Sequence, residues 1–219
     1  MTQENVDVGH LRTILATTTG EREITEYLKR NPWIAYWTIC PASGHDRFAI
    51  YEFPLGSSFK CDLLLLNSYS GVWEAIFVEF EPVDDPVFTK KHIPSKCLAI
   101  AQRQIDDWRN YVEDNKDHIR KDLVRFAKKF DKLGYSCRRE EPSNYSGNRL
   151  SDPNSYLEFK FKIIIGRSSQ LSPEVRRLMG RSHGHYDLEI ISYDRLLYLA
   201  EMRYENKHRE NLFPPSEQV

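Results

Sequence analysis

Three carboxylates flank two apolar segments that follow one another closely in the chain. Asp62 opens an apolar run that continues through Leu66, and Glu79 and Glu81 close the segment Trp73–Pro82, which reads W-E-A-I-F-V-E-F-E-P. Side chains two residues apart in a strand point to the same face, so we expect Glu79 and Glu81 to project together. Carboxylates are costly to bury unless they are paired or bind a cation. The pattern therefore predicts a divalent-metal site that hydrolyses phosphodiesters.

A helix predicted after these segments supplies a further candidate. Gln104 falls on its apolar stripe, between Ala101 and Trp108, and a core-facing amide must find hydrogen-bond partners. It could hold a water or one of the carboxylates, or it could bond to the backbone. Glu21 and Glu23 begin the first predicted helix, and either could reach a metal site. Acidic charge at a helix N-terminus is, however, also favourable by itself.

Each carboxylate also has an interpretation without chemistry. Glu79 and Glu81 could form a strand end that emerges into solvent before Pro82, and Asp62 could be a turn-exit residue with no role. Solvated strand ends are common, so one acidic residue at such a position carries little weight. The shared placement of all three, on two neighbouring predicted strands, favours a common role.

The composition indicates a soluble globular protein with a single domain. The chain has 219 residues, of which 40% are hydrophobic and 29% charged, and a net charge of −1. This balance excludes a uniformly basic nucleic-acid coat but permits a local basic face. The 4 cysteines form no C-x-x-C pair, which indicates reduced thiols in the cytoplasm. No apolar run approaches the roughly 18 residues of a membrane span, and no signal peptide is evident, so we predict no membrane association.

Hydrophobic periodicity predicts alternating helices and strands along the chain. The predicted strands are Phe48–Phe53, Asp62–Leu66, Trp73–Phe80, Phe159–Ile165 and Leu188–Ile191. The predicted helices are Glu21–Arg30, Ser95–Glu113, Lys116–Leu133, Ser172–Met179 and Tyr193–Tyr204. The third strand is apolar on both faces before its glutamates, so helices should cover both sides of the sheet. The expected fold is α/β, with a mixed central sheet flanked by helices.

The remaining segments set the expected domain boundaries. Residues 1–20 are expected to form a flexible lead-in, and 206–219 a polar tail, so that one domain spans residues 21–205. Within that domain, Trp33–Trp37 is expected to pack as an aromatic elbow after the first helix. The polar segment Arg138–Pro153 contains Gly and Pro and is expected to be a mobile loop.

Four stretches in order resemble the C-terminal domain of the Shedu anti-phage nucleases. No single one is diagnostic, but together they cover roughly residues 21–200. They are E-R-E-I-T-E-Y-L-K-R-N-P-W-I (Glu21–Ile34), the strand pair C-D-L-L-L-L and F-V-E-F-E-P, A-I-A-Q-R-Q-I-D-D-W-R-N-Y-V (Ala99–Val112), and I-S-Y-D-R-L-L (Ile191–Leu197).

The resemblance implies a PD-(D/E)xK nuclease core with the element order αβββαβ. It further implies a DNA endonuclease that depends on Mg²⁺ or Mn²⁺, acts in anti-phage defence and assembles as a homo-oligomer. Carried over to this sequence, Asp62 and Glu79 take the metal-binding positions, Glu81 stands at the position of the motif lysine, and Gln104 is the helix glutamine. Glu23 best matches the first-helix glutamate of the family and is expected to bind the metal as well.

One departure from the family pattern is Glu81, which stands where the family has a lysine. A glutamate there could act as general base or hold a second cation, and Lys90, Lys91 or Lys96 could supply the missing positive charge and contact DNA. We also expect the large N-terminal sensing region of longer members to be missing, so substrate recognition could be minimal or could be supplied by a protein partner. The alternative is a catalytically degenerate module for binding or assembly. An unrelated α/β protein whose acidic residues are structural is a third option.

Overall fold

Two apolar runs form the middle of a five-stranded sheet. The computed structural model describes residues 8–40, 46–129, 133, 141–144, 146–186 and 188–205. Its strands lie side by side in chain order: β1 (Arg47–Leu55), β2 (Phe59–Tyr69), β3 (Val72–Phe80), β4 (Leu157–Ile164) and β5 (Leu188–Ile191). The first three strands are antiparallel neighbours, whereas β3, β4 and β5 run parallel. The predicted mixed sheet of an α/β fold is therefore confirmed.

Helices in the described residues cover both faces of this sheet. Their bounds are α1 (Val8–Thr17), α2 (Arg22–Arg30), α3 (Pro32–Ile39), α4 (Lys96–Asp114), α5 (Lys116–Ala127), α6 (Pro173–Tyr186) and α7 (Tyr193–Glu205). One core layer lies between the sheet and α4 and α5, and the other lies against α1, α2, α3 and α7. Alternate β3 side chains enter the two layers, with Phe77 in the first and Val78 in the second. The prediction of helices on both sides is thus confirmed.

The predicted flexible lead-in was wrong for Val8–Thr17, which forms helix α1. Leu11, Ile14 and Leu15 follow helical spacing and are buried in the layer that also holds α2 and α7. Only three apolar residues mark the buried face of this short helix. The helix is therefore stabilised mainly by tertiary packing, which a local pattern does not reveal.

The predicted aromatic elbow at Trp33–Trp37 is instead part of helix α3, which begins at Pro32. Proline suits the first helical position because its missing N–H would have no intrahelical partner there. Ile34, Tyr36 and Ile39 are all buried, and the helix is apolar on nearly every side. A helix of this kind lacks the one-sided stripe from which amphipathic helices are recognised.

Other predicted segments lie partly or wholly outside the described residues. Helix α5 ends at Ala127 rather than at the predicted Leu133. The polar tail, 206–219, is outside, as is part of the loop predicted over Arg138–Pro153. Within the described part of the chain, no helix is long and apolar enough to cross a membrane. Cys40 and Cys61 are buried, and Cys97 is partly exposed.

A buried polar network connects β2 to β3 near the end opposite Asp62 and Glu79. Asn67 and Glu74 are direct cross-strand partners and are 0% and 1% exposed. The Asn67 amide donates to Glu74 at 3.4 Å, the Tyr36 hydroxyl donates to Asn67 at 2.7 Å, and the Lys160 ammonium donates to Glu74 at 2.6 Å. Both faces of these strands are apolar, so a slipped register would still bury apolar side chains. It would, however, separate the Asn67 amide from Glu74 and leave buried polar groups without a partner, which is costly.

We expect Glu74→Leu to lower the free energy of unfolding by about 1–3 kcal/mol, because the amide of Asn67 and the ammonium of Lys160 lose their buried partner. Urea denaturation monitored by circular dichroism measures the change. Glu158→Ala is the matched control, since Glu158 also pairs with Lys160 but its side chain is 33% exposed. The control should cost less than about 1 kcal/mol. Equal losses in the two variants would contradict the role given to Glu74.

Candidate active site

The antiparallel pairing of β2 and β3 brings Asp62 to the end of β3. The last ladder pair at this end is Leu63 with Val78, so Asp62 and Glu79 are the next residues on the two strands. The backbone N–H of Phe80 donates to Oδ2 of Asp62 at 2.9 Å. The predicted placement of the acidic residues on neighbouring strands is therefore observed.

The chain segment that carries Glu79 and Glu81 is held by two further backbone contacts. The N–H of Glu81 donates to the carbonyl of Ile164 on β4 at 2.9 Å. The hydroxyl of Tyr193 donates to the carbonyl of Glu81 at 2.7 Å. Tyr193 is fully buried at the start of α7. It lies in the resemblance stretch Ile191–Leu197, the one signal in the sequence that could have identified it.

Glu79 faces helix α4, where Gln104 donates from Nε2 to its Oε1 at 3.0 Å. Of the two alternatives for Gln104, the structure thus shows the contact to a carboxylate. The other oxygen of Glu79, Oε2, is buried and has no hydrogen-bond partner. Burial, followed by the charges of Asp62 and Glu81, raises the pKa of Glu79 to about 9, and the Gln104 contact lowers it only partly. Without a cation Glu79 therefore keeps its proton at neutral pH, and one of its two oxygens, which is buried, lacks a hydrogen-bond partner.

Asp62, Glu81 and Glu21 complete the carboxylate cluster. Burial raises the pKa of Asp62, and Glu21 adds to the effect, whereas the Phe80 N–H and the lysines Lys60 and Lys29 oppose it. Burial likewise raises the pKa of Glu81 to about 7, with further contributions from Glu21, Asp62 and Asp85. The carboxylates thus repel one another, and each one disfavours the ionised form of its neighbours.

Glu21, rather than the predicted Glu23, is the first-helix glutamate near this cluster. The charge of Glu21 acts on Asp62, Glu79 and Glu81. Glu23 is exposed and lines a separate cavity with His10 of α1. Residues two positions apart in a helix are separated by roughly 200° of rotation about its axis. If Glu21 faces the cluster, Glu23 must therefore face away from it. The sequence favoured Glu23 on family likeness, and only the docking of α2 distinguishes the two.

Two lysines other than the predicted ones act electrostatically on the cluster. Lys90, Lys91 and Lys96 are exposed and are not among the charges that act on Asp62, Glu79 or Glu81. Lys29 of α2 and Lys60 of β2 act on Asp62 instead. Lys60 is two residues before Asp62 on the same strand, a spacing that could have indicated it.

Glu52 of β1 connects these two lysines. Its carboxylate lies 3.6 Å from the ammonium of Lys29 and 3.7 Å from that of Lys60. Glu52 has a φ of 55°, a left-handed conformation that is uncommon for a non-glycine residue inside a strand. Such strain is concentrated at functional sites.

The same point in the sheet shows a shift in side-chain alternation. The side chains of β1 and β2 that enter the core layer beside α4 and α5 do not alternate regularly near Glu52 and Asp62. On each strand they occupy even-numbered positions on one side of this point and odd-numbered positions on the other. On β1 these residues are Phe48, Ile50, Phe53 and Leu55, and on β2 they are Cys61, Leu64 and Leu66. Asp62 thus lies where regular strand geometry is interrupted.

The donor chemistry of the cluster fits Mg²⁺ or Mn²⁺ held by few protein ligands. In the described part of the chain, no three His, Cys, Asp or Glu side chains are arranged to hold a metal ion together. Mg²⁺ usually keeps several waters and uses one or two carboxylates rather than a complete protein cage. The unpartnered oxygen of Glu79, beside Asp62, matches that requirement.

Comparison with known proteins identifies one protein family. The family model described as "Shedu protein SduA, C-terminal" matches residues 18–197, well over half of the chain. No curated protein matches the chain. The matched range includes α2, the three antiparallel strands with Asp62 and Glu79, helix α4 with Gln104, and Tyr193.

We expect Glu79→Gln to stabilise the metal-free protein at neutral and alkaline pH. The pKa of Glu79 is raised from 4.5 to about 9 in the folded state, so the folded state binds more protons between these values and stability falls as pH rises through that window. The groups facing Glu79 are the carboxylates of Asp62, Glu81 and Glu21 and the amide of Gln104. The substituted side chain has no charge to lose, and its oxygen can still accept from Gln104.

Thermal unfolding in EDTA between about pH 6 and about pH 9 measures this difference. The melting temperature of the wild type should fall more steeply with pH than that of the Glu79→Gln protein. Glu23→Gln is the control and should leave the pH dependence unchanged, because Glu23 lies on another surface. Parallel profiles for wild type and Glu79→Gln would contradict the assigned electrostatics.

Proposed function

The chain belongs to the Shedu SduA C-terminal family, and on that premise we propose that it is a metal-dependent DNA endonuclease with a PD-(D/E)xK type of site. Family membership supports a role in Shedu anti-phage systems. The proposed αβββαβ core is supported by three antiparallel strands that follow helices, and by a fourth strand that runs parallel to the third after α4 and α5. The arrangement of Asp62, Glu79 and Gln104 supports the activity.

The observation that carries the proposal is the buried, unpartnered oxygen of Glu79. A buried carboxylate oxygen without a partner is costly, and here Asp62, Glu81 and Glu21 add repulsion. A folding requirement does not explain this arrangement, because an amide or apolar side chain would fill the position at lower cost. A divalent cation would provide the missing partner and neutralise the neighbouring charge.

The residues of the cluster divide into distinct roles in this proposal. When bound, a divalent cation neutralises charge developing on the scissile phosphate and activates water. Asp62 and Glu79 would hold it, with the N–H of Phe80 and the amide of Gln104 orienting their carboxylates. Glu81, at the position of the motif lysine, would accept the proton of the attacking water. Lys60 and Lys29 supply positive charge beside Asp62.

The biological setting is proposed from the family. The substrate would be invading DNA in a bacterial or phage-related cytoplasm, and assembly as a homo-oligomer would follow the family pattern. A protein partner could supply recognition of the target. These proposals rest on the match to the family.

We expect Asp62→Asn and Glu79→Gln each to abolish cleavage, because each removes a carboxylate proposed to hold the cation. The assay compares supercoiled and linear DNA with Mg²⁺, Mn²⁺ or EDTA. Gln104→Ala should retain about 1–10% of the activity, as expected for loss of a residue that orients a metal ligand.

The glutamates at the start of α2 provide a matched pair of variants for the same assay. Glu21→Gln should reduce cleavage, whereas Glu23→Gln should leave it unchanged, because only Glu21 acts on the cluster. Undiminished cleavage by folded Asp62→Asn and Glu79→Gln proteins would refute the site. No cleavage by the wild type with either metal would refute the proposed activity.

A second candidate function, a degenerate module for binding or assembly, is favoured by Glu81 at the lysine position. Metal binding separates the two candidates. A ligand at 100 times its Kd stabilises a protein by about 2.7 kcal/mol, so millimolar Mn²⁺ should raise the melting temperature of an active wild type. The gain should be lost in Glu79→Gln. Absence of any metal-dependent shift in the wild type would favour the degenerate module.

A further inference from the structure

An open groove runs between β2 and helix α4 beside the carboxylate cluster. Its volume is about 430 Å³, within the range of ligand-binding sites. One wall is formed by Phe59 and Lys60 of β2, and the other by Ile100, Arg103 and Gln104 of α4. Because Gln104 also donates to Glu79, the groove opens next to the proposed catalytic residues.

The walls of the groove are fixed by packing on α4. The rings of Phe59 and Tyr111 lie 6.2 Å apart in an edge-on arrangement. Gly56, in the turn between β1 and β2, has a φ of 65°, and a Cβ there would lie 2.4 Å from the hydroxyl of Tyr111. The turn therefore approaches α4 as closely as a glycine allows, which fixes the spacing between the two walls.

The side chains of the groove are suited to a polyanion that also carries apolar surface. Lys60 and Arg103 place positive charge on opposite walls, and the Lys60 side chain is 57% exposed. Ile100 is 46% exposed, unusually high for an isoleucine on a packed helix. Trp108 also lines the groove and is completely buried. Two cations on facing walls are what phosphate oxygens require.

We infer that this groove binds the phosphodiester backbone of DNA and leads it to Asp62 and Glu79. Lys60 and Arg103 contact phosphates, and Ile100 packs against a sugar or base. The inference rests on the proposed nuclease function, which supplies DNA as the ligand. It replaces Lys90, Lys91 and Lys96 as the expected DNA contacts.

The groove also contains an acidic residue, which provides a control of opposite charge. Asp107 lies one helical turn after Arg103 on α4 and lines the same groove. If the groove binds a polyanion, neutralising Asp107 should not weaken binding. If the groove residues affected DNA binding only through folding, removing a positive or a negative side chain should weaken binding to a similar degree.

The test measures binding of fluorescent duplex and single-stranded oligonucleotides by anisotropy, in EDTA and in Ca²⁺, over a series of salt concentrations. The Lys60→Ala/Arg103→Ala protein should bind at least about tenfold more weakly. Its slope of log K against log salt should be shallower by about 1–2, since each phosphate contact contributes roughly 0.7–0.9. Lys90→Ala/Lys91→Ala should bind within about twofold of the wild type, and Asp107→Asn should bind equally or more tightly.

The outcomes separate this inference from the proposed activity. If the folded Lys60→Ala/Arg103→Ala protein had the DNA affinity and salt dependence of the wild type, the groove would not be the DNA-binding site. Absence of DNA binding by the wild type in both buffers would also overturn this assignment. Cleavage that persists without these two residues would overturn the groove but not the nuclease. Binding that depends on the groove, in a protein that never cleaves, would support the groove and overturn the nuclease.

Discussion

The register of β2 against β3 is the constraint on which the site depends, and a buried polar pair maintains it. Asn67 and Glu74 face each other across the strands in a network with Tyr36 and Lys160. Apolar packing alone specifies register weakly here, because both faces of these strands are buried. A buried hydrogen-bonded pair has no such tolerance, because separating its members leaves polar groups unpaired in the core. At the other end of the same ladder, this register places Asp62 beside the N–H of Phe80.

At the cluster the fold stabilises an arrangement of charges that would otherwise be unfavourable. The strand end is held through the N–H groups of Phe80 and Glu81 and the carbonyl of Glu81, so its carboxylates cannot move apart freely. The strained backbone of Glu52 lies on the adjacent strand. Two core layers, one on each side of the sheet, supply the stability that offsets this local cost. A local arrangement that lowers the stability of the fold is typical of functional sites.

Much of the fold and part of the site could be predicted because the relevant patterns are local. Continuous apolar runs bounded by turns predicted the strands with Asp62 and Glu79, and helical periodicity placed Gln104 on the apolar stripe of α4. The same methods failed for α1, whose short apolar face is stabilised by distant helices, and for α3, which has no polar face. They also could not choose between Glu21 and Glu23, since that choice depends on how α2 docks on the sheet.

The amino-acid sequence by itself determined the α/β class, the order of the central elements, the family resemblance and the acidic residues at the ends of β2 and β3. These follow from spacing along one strand or helix, and from side-chain chemistry. Only the tertiary structure decided that Glu21 and Lys29 act on the cluster, that Tyr193 holds Glu81, and that a groove between β2 and α4 opens beside Gln104. Those contacts join residues far apart in the chain, and their distances depend on how helices pack on the sheet.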